Sequence, residues 1–127
     1  MAKRPQSDYF NDDEFQCQCG RCGKGINQMQ DSTLRKLFNA REEAGTAFVI
    51  TSAFRCPEHN RKVGGTSNSA HLRGHAVDIA ATSSRQYFKI LKALFAAGFT
   101  RIGYNRASKF IHADDDPTLP QEVFFDY

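Results

Sequence analysis

His71 and Asp78 lie in Ser69-Ala70-His71-Leu72-Arg73-Gly74-His75-Ala76-Val77-Asp78, with Gly74 between them, the spacing of two metal ligands separated by a turn. At period two, Ala76, Asp78 and Ala80 fall on one face of a short strand, and Val77 and Ile79 on the other. The smallest side chains thus flank the carboxylate and leave room for an ion and a substrate. The third candidate is His112: alternation through Phe110-Ile111-His112-Ala113-Asp114 puts Phe110, His112 and Asp114 on one face. Two strands can then present His71, Asp78 and His112 to one point. Three nitrogen and oxygen ligands with a fourth position left for water make the donor set of catalytic rather than structural zinc. Such an ion activates the water and polarises the carbonyl under attack. His75 is not expected to join them, because an H-x-x-x-H pair needs a continuous helix and Gly74 interrupts it.

The elements that must position these residues follow from pattern. Asp12-Asp13-Glu14-Phe15 suits a single helical turn with acidic residues at its positive end, and Cys17 to Gly25 is a loop by composition. From Asp31 or Ser32 as N-cap, Leu34, Leu37, Phe38 and Arg41 follow helical spacing up to Gly45. Ala47 to Ser52 reads as a buried strand that delivers Arg55 to its C-terminal end. Pro57 opens a helix of about two turns stopped by Gly64-Gly65. Ser83 and Gln86 form a capping box ahead of the stripe Tyr87, Phe88, Leu91, Leu94 and Phe95, which ends at Gly98. Arg101 to Asn105 and Lys109 to Asp114 read as a hairpin, and Glu122 to Phe125 as an edge strand. With no βαβ rhythm and no internal repeat, the class is α+β: a small antiparallel sheet covered by two main helices.

A chain of 127 residues accommodates one domain, read as residues 9–127 behind a flexible tail at 1–8. Eleven Phe and four Tyr supply the apolar area, and a net charge of +3 identifies no partner. Lys and Arg are scattered among acids and no complete finger pattern occurs, so nucleic acid is not expected as a partner. No apolar run approaches membrane-spanning length, so stable membrane insertion is not expected either. The charged N-terminus precedes no apolar segment, so the protein is expected to be made in the cytoplasm without a signal peptide. A monomer is expected. Cys17, Cys19, Cys22 and Cys56 leave three readings open: a second, structural zinc closed by Cys56, disulfides, or reduced thiols. Because C-x-C is not the usual C-x-x-C knuckle and only one cysteine comes from elsewhere, the expectation is against a Cys-bound zinc.

Ser69, His71, Gly74, Ala76 and Asp78 reproduce S-x-H-x-x-G-x-A-x-D, and with it the chain resembles the zinc D-Ala-D-Ala carboxypeptidase and L-Ala-D-Glu endopeptidase family, the hedgehog-type zinc peptidases. Ser52-Ala53-Phe54-Arg55 with Pro57, His59, Asn60 and Gly64-Gly65 is similar to that family's S-G-Y-R-S-P-x-H-N...G-G segment. Phe10 to Phe15 with Cys17 resembles its F-x-x-x-E-F opening. The resemblance runs from about residue 9 to the C-terminus. It implies the hedgehog/D-Ala-D-Ala peptidase fold, one catalytic zinc on His71, Asp78 and His112, and the peptidoglycan stem peptide as substrate.

Amide hydrolysis also needs a general base. Many relatives carry Glu, Asp or His two or three residues before the last ligand, where this chain has Lys109 and Phe110. Asp114 is the expected substitute, being two residues along the strand from His112, with Glu122 next in line. Arg55 is expected to clamp a substrate carboxylate through its planar fork. Ser69 is expected either to bond the substrate backbone or to orient His71, while His59 and Asn60 fix the loop of Arg55 rather than touch zinc. The implied activity is a zinc peptidase acting on the cell wall after release, as a phage endolysin or a related lytic enzyme. The alternative is an inactive, zinc-stabilised wall-binding or phage structural module.

Overall fold

The computed structural model describes residues 4–127. Its centre is a five-stranded sheet in the order β1-β2-β4-β3-β5, with β1 at Ile50–Ser52, β2 at Ala76–Ala80, β3 at Arg101–Asn105, β4 at Phe110–Asp114 and β5 at Val123–Asp126. Three main helices accompany it: α1 at Asp31–Ala44, α2 at Pro57–Lys62 and α3 at Ser84–Ala97. Short 3-10 turns occupy Asp12–Phe15, Ile26–Gln28 and Ala70–Arg73. No helix among the described residues is long and apolar enough to cross a membrane.

The α+β class and the two large helices match the expectation, with local differences that have physical reasons. α1 begins at Asp31 behind Gln30, whose side chain makes no cap bond, and ends at Gly45 with φ 65°. β1 is shorter than Ala47–Ser52, covering three residues with an irregular register against β2 between Ile50 and Ser52, while Phe48 ahead of it is buried and Val49 exposed. β5 is an edge strand but runs parallel to β3. After β4 the chain loops back to the start of β3, where Val123 pairs with Arg101, so β5 travels in the same direction. The sheet is therefore mixed rather than wholly antiparallel. Of the expected tail, residues 1–3 lie outside the described residues; Arg4 bonds Asn27 at 2.9 Å and Asp12 at 3.1 Å.

Alternation divides the central strands. Val77, Ile79, Ile102, Ile111 and Ala113 are fully buried in one cluster with Leu34 and Leu37 of α1 and Ile90 and Leu94 of α3. Each such side chain contributes about 1.5–3 kcal/mol by leaving water. Ser83 caps α3 by accepting from the Gln86 amide at 3.1 Å, and Gly98 ends it at φ 98°. The opposite strand residues make the row on which the polar site is built: Ser52 faces Asp78, Asp78 faces His112, His112 faces Gly103, and Gly103 faces Phe125.

Candidate active site

Asp78 and His112 are direct neighbours because β2 and β4 pair in this register. His71 reaches them differently from the expectation: it sits in the 3-10 turn Ala70–Arg73 just ahead of β2, not in a strand. Ser69 caps this turn by accepting from the His71 amide at 3.2 Å, and Gly74 closes it with φ 73°. The result is two imidazoles on one carboxylate oxygen: Asp78 Oδ1 lies 3.2 Å from His71 Nε2 and 3.0 Å from His112 Nδ1. Ligand atoms of the three residues lie within 4.8 Å of one another. All three residues are buried, at 2–6% exposure, at the base of a cleft of about 490 Å³.

The outer nitrogens of both rings are held by acceptors, which fixes the rings and decides which nitrogen faces the centre. His71 Nδ1 donates to the Ala53 carbonyl at 2.7 Å, leaving Nε2 to face Asp78, where a bound cation would take the place of its proton. His112 Nε2 donates to Asp114 Oδ2 at 2.6 Å, leaving Nδ1 inward. The donor set is thus two oriented imidazoles and a carboxylate, which fits zinc. The electrostatics agree. Burial would push the His112 imidazolium down, but Asp114 and Asp78 outweigh it and raise its pKa to about 9. Burial would likewise raise Asp78, yet His71 and His112 hold it well below the usual carboxylate range. The centre attracts positive charge.

Asp114 keeps the face of His112, but its position differs from that expected of a base. It is 1% exposed and does not line the cleft; its carboxylate stands behind His112, with Oδ1 3.0 Å from Arg101 Nε and bonded at 3.2 Å by the Asp116 amide. The reason is the sheet register, which sets Asp114 opposite Arg101. Glu122 lies beside Phe95 and Phe124, remote from the cleft. Among the described residues that line the cleft, Asp78 is the only one with a side-chain carboxylate.

Arg55 does line the cleft. It bonds Asp78 Oδ2 at 3.3 Å, Asn60 Oδ1 at 3.2 Å and Ser52 Oγ at 3.1 Å, so part of its fork orients the metal-facing carboxylate. Asn60 is buried and also donates to the Thr66 carbonyl at 2.8 Å, tying α2 to the loop that follows it. Gly65 permits this packing, since a Cβ there would lie 2.1 Å from Asn60 Oδ1. His59 contributes its backbone amide to Cys56 Sγ, and His75 pairs with Asp115 at 3.0 Å, outside the ligand group. Two aromatic walls of the cleft, Phe110 and Tyr127 at 5.3 Å between centroids, were not assigned a site role from sequence. The period-two set Val123, Phe125 and Tyr127 was the available signal, and it points to this wall only once the register of β5 is known.

A family model described as Peptidase M15 matches residues 8–114. No curated protein matches the chain. The match spans both histidines and the aspartate that converge in the cleft, and its length shows the family: the chain belongs to peptidase M15 and is a zinc-dependent metallopeptidase.

Proposed function

We propose that the protein hydrolyses a peptide bond in the stem peptide of bacterial peptidoglycan. The supporting observation is that Arg55 shares one cleft with His71, Asp78 and His112, so a carboxylate-bearing peptide can be anchored beside the ligand group. Stem peptides are rich in free carboxylates, and a guanidinium binds them in a fork that lysine does not offer. When bound, zinc would supply Lewis acidity and an activated water. His71, Asp78 and His112 would hold it. Ala53 and Asp114 orient the two imidazoles, Ser69 fixes the turn of His71 and keeps a hydroxyl hydrogen for the substrate backbone, and Phe110 and Tyr127 offer an aromatic wall on one side. Asp114 thus acts through His112 rather than on the substrate. The cleaved bond belongs to the D-Ala-D-Ala carboxypeptidase or the L-Ala-D-Glu endopeptidase class, and the biological role is that of a phage endolysin or related lytic enzyme acting as a monomer at the wall. Detecting the protein in uninfected, prophage-free cells would count against the phage role.

One observation favours the second reading, an inactive zinc-stabilised wall-binding or phage structural module: among the described residues that line the cleft, no side-chain carboxylate besides Asp78 could take the proton. Incubating the purified protein with peptidoglycan separates the two. Chelator-sensitive release of new amines, located by mass spectrometry of a defined muropeptide, supports the enzyme and identifies the bond. Wall retention with no new amine at saturating zinc supports the module.

A further inference from the structure

The geometry points to a second, structural zinc site formed by Cys17, Cys19, Cys22 and Cys56, separate from the peptidase centre. The four sulfurs lie within 4.8 Å of one another, though Cys56 is brought to the others from a distant part of the chain, and none is in a disulfide. A tetrahedral zinc with bonds of about 2.3 Å to sulfur has edges of about 3.8 Å between sulfurs, which this group meets with small side-chain adjustment. Cys17 and Cys56 are buried, and Cys19 and Cys22 are half-buried, as in a closed shell with no position for solvent or substrate.

Backbone amides supply the independent observation. Cys19 Sγ accepts from the amides of Arg21 at 3.3 Å and Cys22 at 3.2 Å; Cys22 Sγ accepts from Lys24 at 3.4 Å. Cys17 Sγ accepts from Cys56 at 3.3 Å, and Cys56 Sγ from His59 at 3.5 Å. Every sulfur therefore receives at least one N–H bond. A neutral thiol is a weak acceptor, whereas a thiolate bound to a cation carries charge that such amides stabilise. Gly20 at φ 72° and Gly23 at φ 67° shape the turns that aim them. The segment Cys19-Gly20-Arg21-Cys22-Gly23 is thus a C-x-x-C-G knuckle, hidden in the sequence by the extra cysteine at position 17. Binding would release the thiol protons to solvent and leave a doubly negative centre, beside which Arg21 and Lys24 follow in the same loop. The site would fasten the N-terminal loop to the start of α2, next in sequence to Arg55 and one turn from Asn60.

The test is zinc stoichiometry of the full chain, purified reduced with zinc and dialysed. Two zinc per chain are expected in the wild type, one in His71→Ala and one in Cys19→Ser/Cys22→Ser. The cobalt-loaded His71→Ala protein should show intense sulfur-to-cobalt charge-transfer absorption. One zinc in the wild type and none in His71→Ala would overturn the proposal. So would a mass lower by a pair of hydrogens for each disulfide in the chain purified without reductant. Because His71→Ala leaves all four cysteines in place, it decides the question even where the double variant does not fold. Its retained zinc is also independent of whether the cleft proves to be a peptidase.

Discussion

His112 shows how one side chain is oriented towards a candidate metal position. Its ring is held between Asp114 on the outer nitrogen and Asp78 on the inner one, so the inner nitrogen faces the point where a cation would take the place of its proton. This arrangement gives Asp114→Asn a distinct expected outcome: zinc affinity falls about 10–100-fold, while turnover at saturating zinc stays within a few-fold of wild type. Turnover abolished with zinc fully bound would instead make Asp114 a base. His71→Ala removes a ligand outright and should lose cleft zinc and peptide release together, measured by metal content and muropeptide digestion. An active His71→Ala protein would remove His71 from the centre. Asp78 carries a double load, because Arg55 bonds the oxygen that the imidazoles do not share.

At the scale of elements, the 3-10 turn Ala70–Arg73 depends on its last residue. Gly74 has φ 73°, and a Cβ there would lie 1.9 Å from the Gln28 carbonyl oxygen, whose backbone cannot swing away like a long side chain. Its own carbonyl also accepts from the Gln30 amide at 2.9 Å, docking the turn on the chain just before α1. Gly74→Ala should therefore cost about 3 kcal/mol or more, from both the left-handed backbone and the collision, read as a lower denaturation midpoint. Because the turn carries His71, zinc affinity should fall in the same variant. A midpoint equal to wild type would show that the turn tolerates displacement.

For the whole molecule, the carboxylates after β4 tie the sheet to the helices. Asp115 is bonded by Thr33 and by Lys36 of α1, at 2.9 Å for the lysine, and by His75; Asp116 is bonded by Arg73 at 2.6 Å and by Thr118. Burial alone would raise both acids. For Asp115 the bonds from Thr33 and Lys36, and for Asp116 those from Thr118 and Arg73, outweigh it and leave both pKa values below the ordinary 3.8. A depressed folded-state value contributes stability that is present above the unfolded value and is lost as pH falls through the folded one. Stability should therefore decline on acidification between about pH 5 and pH 2, and Asp115→Asn should flatten that decline while lowering stability at neutral pH. Chemical denaturation across that range checks it; an unchanged slope would assign the acid sensitivity to other groups.

Sequence by itself determined the α+β class, α3 with its cap and glycine stop, and the strand faces on which Asp78 and His112 lie, because each rests on short-range signals: periodicity, capping chemistry and a compact motif. Asp78 and His112 could be placed on strand faces since alternation is a local property of the backbone. The hairpin of β3 and β4 was legible as well, but the tertiary structure alone decided that β2 lies on its other side and that β5 runs parallel to β3. The exact hairpin register, set by its turn, places Asp114 opposite Arg101 and behind His112, which alternation along one strand does not reveal. The same holds for Cys56 joining the knuckle and for Tyr127 walling the cleft. Both depend on contacts between distant segments, which packing of the whole core fixes.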